Sequence, residues 1–176
     1  MNIPNLITIF RIFLTVPLVI FLIMRIYPVA LLIFIVASLS DYLDGYLARK
    51  LGMVTDIGKV LDQIADKVLI TSTLIVLMDL NFVGMWYVLG IVLRDMIVNA
   101  TRTMCAYKGV IISADKLGKS KTVSQIVVIV YILSVASIFK GYPGVFGIIL
   151  IWISFLLTIL SGLNYVISGF RILKGE

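Results

Sequence analysis

The 176-residue sequence contains no histidine and a single cysteine, Cys105. Without imidazole there can be no Ser-His-Asp triad, no histidine base and no zinc site built on ring nitrogens. One thiol permits neither an internal disulfide nor a thiolate cluster. Charge is scarce too: only 14% of residues are charged, where soluble domains carry about 25%. Hydrophobic residues make up 61% and the mean hydropathy is +1.16, so the bilayer is the natural solvent of this chain. No Ser/Gly-rich linker, low-complexity tract or soluble domain interrupts it. Any chemistry must therefore rest on carboxylates, basic groups, hydroxyls and a borrowed metal ion. Nine acids are present, and their positions carry most of the functional information in the chain.

A helix needs roughly 20 apolar residues to cross the hydrocarbon core. Apolar runs recur at roughly 5–25, 28–49, 60–80, 83–107, 120–139 and 144–170. They predict an all-α polytopic membrane protein with six transmembrane helices, folded as one domain over residues 1–176. The first run reads as a span and not as a signal peptide, because Arg11 breaks it and no small-residue cleavage site comes after it. Lysine and arginine cluster in two connections, at Arg49, Lys50 and Lys59 and at Lys108, Lys116, Lys119 and Lys121. Arg171 and Lys174 add to the C-terminal tail, whereas the opposite side holds only Arg25 and Lys140. The positive-inside rule then predicts cytoplasmic termini and basic connections in a cell membrane. The net charge of +6 would face anionic lipid headgroups, with no call for a nucleic-acid partner. Lys50, Lys108 and Lys174 need no further role than topology.

Five of the nine acids, Asp41, Asp44, Asp56, Asp62 and Asp66, fall within one short segment. Asp41 and Asp44 are spaced i,i+3 and Asp62 and Asp66 i,i+4, so each pair shares a helix face. The two helices are expected to be antiparallel neighbours joined by a short cytoplasmic turn near Gly52–Asp56, so that four carboxylates converge near the inner membrane boundary. Each ionised carboxylate near the core costs on the order of 2.5–3.5 kcal/mol, and four would also repel one another. Oxygen-only donors point to a hard cation, Mg²⁺ or else Mn²⁺ or Ca²⁺, which commonly also holds substrate phosphates. Gly45, Ala48 and Gly58 leave room for a ligand to approach the backbone. The structural alternative is an ion network of these aspartates with Arg49, Lys59 and Lys67. Asp56, directly before the next helix, reads as an N-cap and stays outside the site.

In full the pattern is Asp41-x2-Asp44-Gly45-x2-Ala48-Arg49-x8-Gly58-x3-Asp62-x3-Asp66. It resembles the signature of the CDP-alcohol phosphotransferases, with every fixed position filled. The resemblance implies six transmembrane helices, cytoplasmic termini, a site at the inner membrane boundary and a homodimer. It implies that Asp41, Asp44, Asp62 and Asp66 ligate the divalent metal on the CDP diphosphate, with Asp66 also acting as general base. Gly45 and Ala48 would pack against the cytidine end, with Gly58 close by, and Arg49 would contact the diphosphate. CMP would be the leaving group.

Further stretches are similar to one branch of that family, whose acceptor is glycerol 3-phosphate and whose donor is CDP-diacylglycerol. They are Asn2-Ile-Pro4-Asn5-x2-Thr8-x2-Arg11, Arg94-Asp95 with Arg102, and Lys116-Leu-Gly118-Lys119-Ser-Lys121-Thr122. A phosphorylated acceptor requires a second, basic pocket, and Arg94, Arg102, Lys119 and Lys121 are the candidates for it. Lys119 and Lys121 could equally serve topology, and Arg94 and Arg102 could form a structural pair with Asp95. The resemblance makes Asn5 and Thr8 contacts of the donor diphosphate, although helix capping and anchoring also explain them. Gln63, where proline is usual, and Asp95, where glutamate is usual, leave inositol phosphate, inositol or serine open as acceptors. Outside the enzymes, a divalent-cation transporter is the main rival, but transporters repeat their motifs in two halves and this acidic motif occurs once. Polyprenyl transferases carry two separated Asp motifs on longer chains. A purely structural membrane protein gives no reason for the four aspartates.

Overall fold

A computed structural model describes residues 3–50, 56–107, 110, 116–139 and 141–174, leaving aside the side chains of 3–4, 42–49, 56–57, 59, 116–117 and 172–174. Six helices account for nearly all of them, with no strand among the described residues. They are α1 (Ile3–Ile23), α2 (Tyr27–Lys50), α3 (Asp56–Asp79), α4 (Met85–Tyr107), α5 (Lys116–Phe139) and α6 (Gly144–Lys174). α1, α5 and α6 contain stretches long and apolar enough to cross a membrane. α2, α3 and α4 are as long but carry the charged residues of the candidate sites. The protein is an all-α polytopic membrane protein.

Two of the connections are tight. At the end of α1, the Ile26 amide donates to the Phe21 carbonyl and the Arg25 amide to the Leu22 carbonyl, both at 2.9 Å. At the end of α3, Phe82 donates to Leu77 and Asn81 to Met78 at the same distance. This pair of bonds defines the Schellman motif, which requires a left-handed residue just past the helix. Arg25 (φ 58°) and Asn81 (φ 62°) occupy that position here in place of the usual glycine.

The chain forms two compact units: residues 1–82 with 129–143, and residues 83–128 with 144–176. In the first, α1 packs along both α2 and α3, while α2 and α3 touch each other only slightly. Leu18 and Leu22 of α1, Phe34 and Ala37 of α2, and Leu74 and Leu77 of α3 are fully buried there. In the second, α4 packs on α6. α6 reverses the polarity of a soluble helix: Val145, Phe146, Trp152, Leu156 and Leu160 point outward, whereas Ser154, Thr158 and Ser161 are fully buried. Lipid is as apolar as any core, so helices in it associate through small residues and hydrogen bonds instead. A seam of such bonds runs through this unit: Tyr87 to Ser154 (3.1 Å), Ser124 to Ser154 (3.1 Å) and Gln125 to Thr158 (3.3 Å). Cys105 is buried in the same unit.

Candidate functional site

The acidic motif meets the rest of its unit on α1. Thr8, Arg11 and Thr15 follow i, i+3, i+7 and form a polar stripe on one helix face, exposed by 3%, 0% and 4%. The Thr15 hydroxyl donates to the Arg11 carbonyl at 3.2 Å, which satisfies it within its own helix. The Arg11 guanidinium reaches across to two other helices. Its Nη1 donates to Asp41 Oδ1 on α2 in a short charge-assisted bond and lies 3.4 Å from Asp62 Oδ1 on α3. Its Nε approaches the Ser40 hydroxyl at 3.5 Å. Direct convergence of α2 and α3 is thus not what joins the two halves of the motif. Because those helices barely touch, Asp41 and Asp62 meet at a guanidinium supplied by α1.

Both carboxylates stay half-exposed, Asp41 by 42% and Asp62 by 52%, although the guanidinium between them is sealed. Asp66, one turn beyond Asp62 on the same face of α3, is part-buried and bonded, as is Gly58 in the first turn. Asn5 is part-buried and Thr8 buried, and both are engaged in interactions. The readings that fall on the side chains of Asp44, Gly45, Ala48 and Arg49 lie outside the described residues, though all four belong to α2. Among the described residues no group of three acids forms a ready metal cage. The donor set still suits a hard divalent cation: carboxylate oxygens from two helices already close on one positive centre, and their outer faces remain open.

The second unit gathers the basic candidates. Arg94 Nη1 bonds Asp95 Oδ1 at 2.9 Å, and Lys121 Nζ from α5 reaches both oxygens of Asp95 at 2.8 and 2.9 Å. Arg94 Nη2 also donates to the Ser161 hydroxyl of α6. One turn further along α6, the Tyr165 hydroxyl accepts from Arg102 Nη2 at 2.7 Å. The Tyr165 ring faces both arginines, with guanidinium carbons 4.8 Å (Arg102) and 5.7 Å (Arg94) from its centroid. Arg94 and Lys121 are 10% and 6% exposed. Among the described residues three cations thus share one acid: Arg94 and Lys121 contact Asp95 directly, and Arg102 joins them through the Tyr165 ring. The Nε atoms of Arg94 and Arg102 are buried with no hydrogen-bond partner among the described residues. Such orphaned donors are rare in folded proteins and leave each guanidinium with an N–H to offer.

Lys119 does not join this cluster. Two residues apart on a helix, Lys119 and Lys121 point to nearly opposite faces. Lys119 is exposed and lines a furrow of about 430 Å³ with Ser120, Val123 and Leu150. Ser161, Gly162 and Tyr165 were not among the sequence candidates. Gly162 matters by its lack of a side chain, because a Cβ there would stand 2.7 Å from Arg94 Cγ. The signal for this face was the run Ser154, Thr158, Ser161, Tyr165, spaced by four, three and four along an otherwise apolar helix.

The family model described as CDP-alcohol phosphatidyltransferase matches residues 1–160. Among curated proteins, the CDP-diacylglycerol–glycerol-3-phosphate 3-phosphatidyltransferase of Bacillus subtilis (strain 168) is 36% identical over 143 residues, covering 81% of this chain and 74% of that protein. The protein of that name from Rickettsia bellii (strain RML369-C) is 37% identical over 172 residues, 93% of each chain. Its namesake in Escherichia coli (strain K12) is 34% identical over 176 residues, covering 94% of this chain and 93% of that protein.

Proposed function

The chain belongs to the CDP-alcohol phosphatidyltransferase family, and from that premise we propose that it transfers the phosphatidyl group of CDP-diacylglycerol to glycerol 3-phosphate. The products are phosphatidylglycerophosphate and CMP, in the pathway class of phospholipid synthesis. The observation that carries the choice of acceptor is the part-buried cluster in which Arg94 and Lys121 hold Asp95 and Tyr165 links Arg94 to Arg102. Its three cations exceed its one acid by two charges. A phosphate monoester carries about −1.5 to −2 at neutral pH and balances that surplus. Inositol and serine do not.

The reaction asks for positioning and charge neutralisation above all. Arg94 and Arg102 hold the acceptor phosphate through their inward-facing N–H groups, and Tyr165 and Ser161 fix the guanidinium planes. The free hydroxyl of glycerol 3-phosphate attacks the phosphorus of the phosphatidyl group. As that bond forms, the bond from this phosphorus to the bridging oxygen breaks, and CMP leaves with the oxygen. Asp66 accepts the hydroxyl proton, the role imidazole would fill in a histidine-containing enzyme. Asp41, Asp44, Asp62 and Asp66 hold a divalent cation, Mg²⁺ by preference and Mn²⁺ as a substitute, which when bound neutralises the donor diphosphate and the departing CMP. Asn5, Thr8 and Arg49 are assigned to the diphosphate, and Gly45, Ala48 and Gly58 admit the nucleotide to the backbone. Lysine and arginine distribution supports cytoplasmic termini and a cytoplasmic site in the cell membrane. A homodimer, the family's commoner assembly, completes the reading.

Release of CMP from CDP-diacylglycerol by purified protein, with Mg²⁺ and a panel of acceptors, tests the reading. Glycerol 3-phosphate should exceed inositol phosphate, inositol and serine, and Asp66→Asn should abolish turnover. Full activity in Asp66→Asn would remove the base assignment. Preference for serine would remove the acceptor assignment but not the reaction class.

A further inference from the structure

Arg11 has no part in the proposed phosphatidyl transfer, yet it is the largest fully buried side chain among the described residues. An arginine without water contact in an apolar bundle is costly unless it is paired and hydrogen-bonded. Among its described partners are two carboxylates of the acidic motif, one on α2 and one on α3, both met by Nη1. Nη1 meets the Oδ1 atom of each, and both aspartates keep roughly half their side-chain surface exposed. The guanidinium therefore holds the inner side of the carboxylate pair and leaves the outer side to a ligand.

We infer that Arg11 is a positioning residue that acts as a built-in counterion: it holds Asp41 and Asp62 together in the metal-free protein and shares them with the divalent cation when one binds. The inference rests on the assignment of these aspartates to a metal. Two carboxylates brought near each other at a membrane boundary repel and would spread without a positive charge between them. The guanidinium supplies that charge before the cation arrives, so the pair is already assembled at the moment of binding. Once bound, the cation and Arg11 carry like charge and draw on the same two carboxylates from opposite sides. Removing the guanidinium should therefore weaken the metal-free protein while tightening metal binding. A merely structural arginine would weaken metal-free and metal-loaded protein alike.

The test is Mn²⁺ titration by electron paramagnetic resonance, with thermal unfolding in detergent micelles, on wild type, Arg11→Met, Arg11→Lys and Asp62→Asn. Arg11→Met should unfold roughly 5–10 °C below wild type without metal, and saturating Mn²⁺ should close at least half of that gap. By linkage, its Mn²⁺ dissociation constant should then lie about five- to twentyfold below the wild-type value. Arg11→Lys, which keeps the charge but not the fork, should show the same pattern at smaller amplitude, and decides the matter if Arg11→Met does not fold. Asp62→Asn should lose Mn²⁺ binding. A more than threefold weaker Mn²⁺ affinity in the Arg11 variants, with Asp62→Asn silent, would overturn the counterion role and leave the metal assignment standing. A stability gap that Mn²⁺ does not narrow would overturn it as well. No Mn²⁺ binding in wild type, or undiminished binding in Asp62→Asn, would remove the metal assignment and the inference with it.

Discussion

Tyr165 offers the most discriminating perturbation of the basic cluster, because its hydroxyl and its ring act on different partners. The hydroxyl accepts from Arg102 Nη2 at 2.7 Å. The ring lies under Arg102 at 4.8 Å and Arg94 at 5.7 Å. Tyr165→Phe removes only the hydroxyl. A hydrogen bond to a charged group contributes about 1.5–3 kcal/mol, and a bound phosphate would recover part of it from the freed donor. The net loss should be near 1.4 kcal/mol, a tenfold rise in KM for glycerol 3-phosphate. Tyr165→Leu also removes the ring from both guanidiniums, each such contact being worth up to about 2 kcal/mol when desolvated. KM should then rise by at least about a hundredfold. The assay is initial CMP release in mixed micelles, varying each substrate at saturation of the other. KM for CDP-diacylglycerol should stay within about twofold in both variants, since the donor is assigned to other residues. Equal effects of the two substitutions, or parallel rises in both KM values, would refute the assignment of this cluster to the acceptor phosphate.

Three further outcomes are expected from the same geometry. Gly162→Ala places a methyl group 2.7 Å from Arg94 Cγ, well inside ordinary contact, and should raise KM for glycerol 3-phosphate by about tenfold through displacement of the guanidinium; an unchanged KM would show that Arg94 can shift without loss. Lys121→Met should raise the same KM by about ten- to a hundredfold, because Asp95 then draws on Arg94 alone, whereas the exposed Lys119→Ala should stay within about twofold; the reverse order in steady-state kinetics would exclude the geometry described. Arg25→Gly relieves a left-handed backbone at φ 58° and should raise the unfolding temperature in detergent by about 2–4 °C, from a gain of about 1 kcal/mol; a decrease would mean that the Arg25 side chain contributes more than its backbone costs.

The helices were legible because lipid imposes one criterion on every residue of a span. Run ends read from hydropathy near 5 and 25 or 28 and 49 correspond to α1 at Ile3–Ile23 and α2 at Tyr27–Lys50. The pairing of acids was legible for a similar reason, since i,i+3 and i,i+4 spacing fixes a shared face before any tertiary structure exists. What lies across from a face is a different question. Arg11 meets Asp41 and Asp62 over separations of 30 and 51 residues, and that meeting depends on α1 packing against both other helices. Periodicity could mark the stripe Thr8, Arg11, Thr15 as inward-facing but could not name its partners. The same holds for Tyr165, which belongs to a visible polar stripe on α6 yet gains its meaning from α4. Lys119 and Lys121 are a contrary case: a separation of two residues already places them on different faces, so sequence spacing alone argued against a shared site.

Charge also explains why neither cluster is closed by internal pairing. Among the described residues, two carboxylates, Asp41 and Asp62, face the one buried guanidinium of Arg11; in the second cluster, three cations, Arg94, Arg102 and Lys121, accompany one acid, Asp95. Buried ion pairs are poor sources of stability, and apolar substitutes of similar volume often serve as well or better. An imbalance in such surroundings is harder still to account for by stability, because an uneven set of charges costs more to bury than a matched pair. The sign of each surplus is opposite to that of the ligand assigned to it, a divalent cation in one case and a phosphate dianion in the other. Discrimination among acceptors then depends on charge before shape. A neutral polyol or a zwitterion leaves the surplus at Arg94, Arg102 and Lys121 standing, and a buried group deprived of its partner loses far more than a missing contact. Selectivity for a phosphorylated acceptor should consequently weaken as salt screens approach to the site, but persist within it, because Arg94 and Lys121 are almost wholly shielded from solvent.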